Sequence, residues 1–304
     1  MIKKINIYFI LLILLFLLAD LHSADGGKNG FALLKMDVDA RAAAMGGAYT
    51  AIASDASAAF WNPAGLAGAS SRSLIIMHYS WFADFAQEFA SAQLMTGKHN
   101  LALSVNLLTI QDIEIRDMPS DEPYGTTEWM SFSGMISYGT NLTSDISAGV
   151  NFKYLFEKAY LEKAPGWAVD FGFKKRQIFK GLDLGLTLQN LGQMTELKQK
   201  STPLPVIAAA GIGYVIPFQI LGNNPLFATD IQYINDESFY YHFGSQLDLL
   251  TYLSIRLGWM TGNSKNQRTF GIGLNYKSFH FDYAYSSSQY KLDGNQRISL
   301  GIVF

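Results

Sequence analysis

The 304-residue chain contains no cysteine and has few charged residues. The lack of cysteine excludes a disulfide framework and a lipid-modified cysteine behind a leader sequence. Charged residues make up 16% of the chain, whereas soluble domains usually carry about 25%. The net charge of −2 provides no basic surface, so a nucleic-acid partner is not expected. The low share of charged residues therefore separates the chain from ordinary soluble domains.

Long apolar runs are also lacking, except at the N-terminus. Lys3 and Lys4 precede an almost wholly apolar stretch, 5–19, and small and polar residues follow it. This pattern predicts a secretory signal peptide over residues 1–24. A signal-anchor helix is the alternative, but the stretch is shorter than the roughly 20 residues that span a bilayer. Low charge without membrane-spanning helices indicates a closed barrel, because lipid leaves no backbone polar group unpaired.

Alternation with a period of two residues runs through the chain from Ser73 onward. In the segment 146–154, ISAGVNFKY, large apolar residues alternate with Ser147, Gly149, Asn151 and Lys153. A soluble sandwich would alternate in the same way, but the signal peptide and the small residues on the polar face favour apolar side chains facing lipid. We therefore predict an all-β transmembrane antiparallel barrel over residues 73–304. Its fourteen strands, an even number as in bacterial barrels, are placed at 73–82, 86–96, 99–110, 127–138, 145–158, 165–175, 181–191, 204–216, 225–234, 238–248, 251–260, 268–276, 278–286 and 296–304.

The C-terminal heptapeptide ISLGIVF alternates up to the last residue, Phe304. A terminal strand that ends in Phe resembles the assembly signal of bacterial outer-membrane barrels. The resemblance implies outer-membrane lipid and the barrel assembly machinery as partners, the latter through Phe304. It also implies a location in the outer membrane of a Gram-negative-type bacterium.

The polar face of the predicted strands carries charges of both signs. We expect these residues to face the lumen and to tie a plug to the wall by ion pairs. His280 and Asp282 share this face, but no serine stands out as a nucleophile and no metal-binding spacing occurs. No enzymatic activity, metal or cofactor is therefore expected. The predicted lumenal charges are Lys153, Asp170, Lys174, Asp183, Asp230, Arg256 and Asp282.

Residues 25–72 differ from the rest, being rich in Ala, Gly and Ser without alternation. Gly46–Gly47 are expected to end a first short helix, Asp55 to cap a second, and Asn62–Pro63 to break it. A linker is the simpler interpretation of such a segment. Fourteen strands, however, enclose a lumen too wide for side chains alone to fill. We therefore predict that residues 25–72 form a small helical plug in the lumen.

The motif DARAAAMGGAYTAIASDASAAFWNPAGLA contains Arg41, Gly46–Gly47, Asp55 and Asn62–Pro63–Ala64. It resembles the N-terminal signature of the FadL-like barrel superfamily, and most of all its PorV/PorQ branch. By this resemblance the segment is a hatch inside the barrel, and its motif residues maintain the plug or gate a ligand.

Two functions follow from the resemblance. The PorV/PorQ branch implies a non-enzymatic adaptor linked to type IX-like protein secretion or surface attachment, with exported cargo or secretion components as partners. The alternative is passive FadL-like transport of a hydrophobic ligand across the outer membrane, with a lateral opening at the Ala- and Gly-rich strands 86–96 and 204–216.

Overall fold

The structure is a computed structural model of the chain. It describes residues 29–69, 71–81, 85–96, 99–116, 122–197, 203–235, 237–263, 265–287 and 294–304. The predicted signal peptide and the first residues of the predicted plug segment lie outside the described residues.

The described residues form a closed antiparallel barrel of fourteen strands, in which each strand pairs with its sequence neighbours and β1 pairs with β14. This confirms the predicted fold class, and every predicted strand corresponds to one observed strand. The bounds are β1 Ser73–Ser80, β2 Phe85–Thr96, β3 His99–Ile115, β4 Gly125–Asn141, β5 Ile146–Ala159, β6 Glu162–Phe179, β7 Leu182–Met194, β8 Ile207–Val215, β9 Leu226–Ile234, β10 Ser238–Leu250, β11 Leu253–Gly262, β12 Lys265–Tyr276, β13 Phe279–Ser286 and β14 Asn295–Val303.

Strands β3 and β4 are longer than predicted, which shortens the loop expected at 111–126. The β3–β4 register shifts between Ile110 and Ile113, and Asp112 between them has a φ of 53°. A bulge of this kind lets a strand continue after an extra residue. Of the polar residues in this stretch, Glu114 pairs with Thr126 of β4, while Asp112 lies in the bulge itself.

The two faces of the wall differ as expected of a barrel in lipid. Strand β1 alternates strictly between buried and exposed residues. Large apolar side chains such as Ile76, Leu103, Phe152 and Leu257 are exposed on the outer face. Polar residues such as Gln87, Asn151 and Asp170 are buried on the inner face. Within the described ranges, no helix is long and apolar enough to cross a membrane.

Residues 29–69 fill the lumen, and we call them the plug. They contain two α-helices, Ala40–Ala44 and Ala58–Trp61, and two 3-10 helices, Ala32–Lys35 and Pro63–Gly68. We call the barrel end where β1 begins the terminal end and the opposite end the distal end. The plug starts at the distal end, where Gly30 N donates to Pro203 O at 3.2 Å. It leaves at the terminal end, where Arg72 and Phe304 exchange backbone hydrogen bonds of 3.2 and 3.0 Å.

Candidate functional site

The Asn62–Pro63–Ala64 element is completely enclosed near the terminal end. Asn62 Nδ2 donates to Thr50 O at 2.9 Å and to Phe173 O at 3.2 Å, and Asn62 Oδ1 accepts from Ala64 N at 3.1 Å. Pro63 opens the 3-10 helix, where its missing N–H leaves no donor to satisfy. The Asn62 amide thus joins two parts of the plug to the wall strand β6.

Glycines of the wall receive this element directly. A Cβ atom built at Gly149 would lie 2.3 Å from Pro63 C, and one at Gly172 would lie 2.3 Å from Asn62 Oδ1. Any side chain at these positions would therefore overlap the plug. The backbone of the element lies against the backbones of β5 and β6, with no room for a ligand at these contacts.

Gly46 and Gly47 end the first α-helix in the left-handed conformation, with φ of 66° and 77°. The N–H groups of Gly46 and Gly47 donate to Ala43 O and Ala42 O at 3.0 and 3.1 Å. Gly46 O faces Nδ1 of the buried His242 at 2.8 Å. The two glycines both stop the helix, as the sequence suggested, and bring the turn against β10 and β11.

Asp230 holds the plug through backbone amides. Its Oδ2 accepts from Tyr49 N at 3.0 Å and from Thr50 N at 2.8 Å, and the residue is 3% exposed. Hydrogen bonds to a charged acceptor are stronger than neutral ones. Asp230 therefore anchors the middle of the plug to β9 without forming the ion pair that we expected of lumenal charges.

Lys153 and Asp170 form an ion pair within the wall, at 2.8 Å, with both side chains buried. Asn151 Nδ2 donates to Asp170 Oδ2 at 2.9 Å and to the plug carbonyl of Ala59 at 2.5 Å. The Lys153 ammonium also lies 5.9 Å from the ring centroid of Phe60. The pair thus supports the plug through neutral partners.

The remaining predicted charges lie toward the terminal end. Lys174 Nζ donates to Ala53 O of the plug at 3.1 Å, whereas Asp183 Oδ1 accepts from Gln177 N at 2.9 Å within the wall. Arg256 Nη1 pairs with Asp282 Oδ1 at 2.6 Å, again within the wall. The ion pairs among the predicted charges therefore connect strands rather than plug and wall.

Lys35 and Glu237 form an ion pair that does join plug and wall, at 2.6 Å. The alternation does not predict this pair, because Glu237 lies in the connection between β9 and β10, outside the alternating strands. It holds the start of the plug at the distal end.

A polar cavity of about 290 Å³ separates the plug from the wall at the terminal end. Asp39, Arg41 and Asp55 line its plug side, and Asp55 Oδ1 accepts from Ser57 N at 2.9 Å ahead of the second α-helix. Asp39 belongs to the plug and not to a membrane-spanning strand. Burial, with the nearby Asp55 and Asp282 carboxylates, raises the pKa of Asp39 to about 7. The charged lining makes this cavity unsuitable for an apolar ligand.

An apolar cluster closes the distal end, and we call it the distal cluster. Phe31, Leu33 and Leu34 of the plug are 2%, 0% and 3% exposed. Inward-facing wall residues surround them, namely Leu108, Leu155, Ala164, Ala168 and Met194, together with Leu204. The sequence signal for it is a change in the inner face, since Leu108 and Leu155 occupy inward positions on strands whose other inward residues are mostly Asn, Ser, Lys or Glu.

The distal cluster continues into a second apolar cluster in the middle of the barrel. Met36 and Phe85 contact both clusters. The second cluster joins Phe60 and Trp61 of the plug to wall residues Met77, Phe89 and Met135. A continuous apolar region therefore extends from the distal mouth to the inner face of β1–β4.

Solved structures share this fold at very low sequence identity. The Pseudomonas putida toluene transporter TodX has a TM-score of 0.65 and 11% identity, with 86% of this chain and 96% of TodX covered. The CymD monoaromatic hydrocarbon channel also has a TM-score of 0.65 and 11% identity, with 90% and 98% covered. A Pseudomonas aeruginosa FadL homologue has a TM-score of 0.54 and 10% identity, with 84% and 95% covered. The chain thus has the fold of these FadL-like barrels.

Comparison by sequence gives a family but no characterised relative. None of the curated protein sequences matches the chain. A family model matches residues 22–176, which is 155 residues (176 − 22 + 1) and just over half of the chain. The chain belongs to the uncharacterised protein family UPF0164.

Proposed function

We propose that the protein is an outer-membrane barrel through which hydrophobic small molecules pass, with the plug as its gate. The observation that carries the proposal is the distal cluster, which opens a continuous apolar region in a lumen whose other wall residues are mainly polar. Lumens of transmembrane barrels are ordinarily polar. Inward apolar side chains such as Leu108 and Leu155 would form a binding surface for an apolar solute that enters at the distal end.

The plug occupies the distal cluster by side-chain contact. Phe31, Leu33 and Leu34 fill it. The polar contacts lie on either side of these residues, namely the hydrogen bond of Gly30 with Pro203 and the ion pair of Lys35 with Glu237. Apolar contact is non-directional, so a solute of similar size and chemistry is able to replace these side chains. The ring of Phe31 indicates a small aromatic or alkyl solute.

The solute's path follows the continuous apolar region. From the distal cluster the solute passes Met36 and Phe85 toward Met77 and Phe89. The charged lining of the terminal cavity prevents an apolar solute from continuing along the barrel axis to the terminal end. Lateral openings were predicted at 86–96 and 204–216. The pairing of β2 is uninterrupted from Ala86 to Gln93 with β1 and from Phe85 to Thr96 with β3, and β8 is paired on both sides from Ile207 onward. Passage from this closed state therefore requires movement of the plug.

Proteins of the same fold support the proposal. TodX is a toluene transporter, CymD is a monoaromatic hydrocarbon channel, and a third is a FadL homologue. Location in the outer membrane is part of the same proposal, supported by the apolar outer face and the fourteen-strand fold.

The test is permeation of a small aromatic hydrocarbon into vesicles that contain the purified protein. We expect Phe31→Ala to increase the permeation rate, because it empties part of the distal cluster, and Leu155→Asp to decrease it by placing a charge in the path. Phe270→Ala removes an aromatic side chain from the outer face instead and is the matched control. Equal permeation by the wild type, Phe31→Ala and empty vesicles would refute the proposal.

The PorV/PorQ relationship and a secretion adaptor role remain predictions of the N-terminal motif. So does recognition of Phe304 by the assembly machinery. Crosslinking in cells distinguishes the adaptor from the channel, since an adaptor captures exported cargo and a channel for small solutes does not.

A further inference from the structure

Two ionisable side chains face outward from the wall at a point where lipid is expected. His78 of β1 and Glu88 of β2 stand opposite each other in register, with Nδ1 and Oε1 2.5 Å apart and their side chains 55% and 51% exposed. Their outward neighbours in the same row are Ile298 and Leu107. Ionisable groups on a lipid-facing surface are rare, and they usually have a function.

The pair lies at the edge of the apolar band. One row nearer the distal end, the outward residues include Ser80, Gln296 and Thr109. One row nearer the terminal end, they are Ile76, Ala90 and Val105. The pair therefore sits where the hydrocarbon of a bilayer gives way to lipid headgroups.

A groove of about 430 Å³ begins beside the pair on the same outer face. Small residues form its floor, namely Ala90 and Ala92 of β2 and Gly134 of β4. Leu74 closes one side, and Phe152 and Tyr154 close the other. Ala90 is two residues from Glu88 on the same face, so the two lie about 7 Å apart along β2. The groove leads from the charged pair into the apolar band.

We propose that the groove and the pair together bind one membrane lipid with a phosphoethanolamine headgroup. An acyl chain lies on Ala90 and Ala92, where small side chains leave space for it. The lipid ammonium meets the Glu88 carboxylate, and the lipid phosphate meets His78. The Glu88 carboxylate matches the lipid ammonium and the His78 ring offers an N–H to the lipid phosphate, whereas an anionic headgroup without an amine would leave Glu88 facing a like charge.

This site is separate from the proposed transport path. It rests on the membrane location proposed above but not on transport, because it lies on the outer face of β1–β5 while the distal cluster lies inside the lumen. Lipid binding is measured without any permeation assay.

The experiment is native mass spectrometry of the purified full chain with phosphatidylethanolamine and phosphatidylglycerol of equal acyl composition. We expect one tightly held phosphatidylethanolamine, preferred at least about tenfold over phosphatidylglycerol. Ala92→Trp fills the groove and abolishes this binding. Ala210→Trp adds the same side chain to the outer face of β8 and leaves binding unchanged. Glu88→Gln keeps the groove and lowers the preference toward parity. Each variant is first shown to fold by its heat-modifiable migration on gels.

Several outcomes overturn the proposal. Equal retention of the two lipids by the wild type shows ordinary annular lipid, and lipid retention by Ala92→Trp places the lipid elsewhere. Ala92→Cys supplies the chain's sole cysteine. Disulfide-linked dimers of this variant in membranes would show that a second copy occupies the groove instead.

Discussion

The plug meets the wall in two different ways at its two ends. Near the terminal end, the backbone of Asn62–Ala64 lies directly on Gly149 and Gly172, and the Asn62 amide bonds across the contact. At the distal end, Phe31 and Leu34 contact the wall through apolar side chains. The first contact admits one arrangement, because close backbone approach and hydrogen-bond geometry are both directional. The second contact tolerates replacement of one apolar group by another, as the gate that we propose requires.

Gly149→Val is expected to have the largest effect on this comparison. Its side chain would overlap Pro63, so we expect the plug to be expelled and its docking to weaken by about 3 kcal/mol or more. Limited proteolysis of the folded barrel measures this, since an expelled plug is cleaved. Gly134→Val on the outer face, where a Cβ atom would meet only the ring of Phe132, is the control. Equal protection of both variants would contradict the fitted contact.

Asp230→Ala tests the anchor between the two ends. It leaves the N–H groups of Tyr49 and Thr50 buried without an acceptor, at about 1–3 kcal/mol for each group. We expect faster hydrogen exchange of the plug around residues 46–52, with the barrel intact. Asp183→Ala is the control. It removes a carboxylate that accepts its hydrogen bond from Gln177 of the wall, so it should leave the hydrogen exchange of the plug unchanged.

Leu34→Ala and Leu66→Ala compare the two ends with the same substitution. Both side chains are buried, at 3% and 0% exposure, and each truncation in a packed core costs about 2–5 kcal/mol. We expect Leu34→Ala to cost about 2 kcal/mol or less, at the low end of this range. It should increase hydrogen exchange at residues 29–36 alone. Leu66→Ala should loosen the whole terminal contact. The reverse order would mean that the distal end is the firmer one.

The smallest expected effect concerns pH at the terminal end. The pKa of Asp39 is raised to about 7 in the folded state, above its usual value near 3.9. The folded state therefore favours the protonated carboxyl, and the stability this provides is present at low pH and lost as the pH rises through about 7. Plug protection from protease should be greater at pH 5 than at pH 8. Asp39→Asn should flatten the dependence, and an unchanged slope would assign it to another group.

The strand number and the inward position of residues such as Lys153, Asp170 and Asp230 could be predicted because strand side chains alternate with a period of two. Partners could not be predicted in the same way. Asp170 faces Lys153 across a strand pair, while Asp230 faces backbone amides of a segment about 180 residues away in the chain. No local pattern encodes that separation.

The distal cluster was missed for a related reason. Leu108 and Leu155 each follow another apolar residue, Leu107 and Tyr154, so the alternation becomes ambiguous at the point where the inner face turns apolar. The extension of β3 beyond its bulge was not predicted either. Asp112 and Glu114 are charged residues of the kind common in loops, and the bulge interrupts the alternation there.

The sequence by itself determined a fourteen-stranded barrel with an apolar outside and a small-residue plug, since alternation and composition act on each strand separately. Only the tertiary structure decided which wall glycines receive the plug, which charges pair with each other, and where the lumen becomes apolar. These features depend on the distances between strands and plug once the barrel closes. Closure brings together residues that no periodicity along the chain relates.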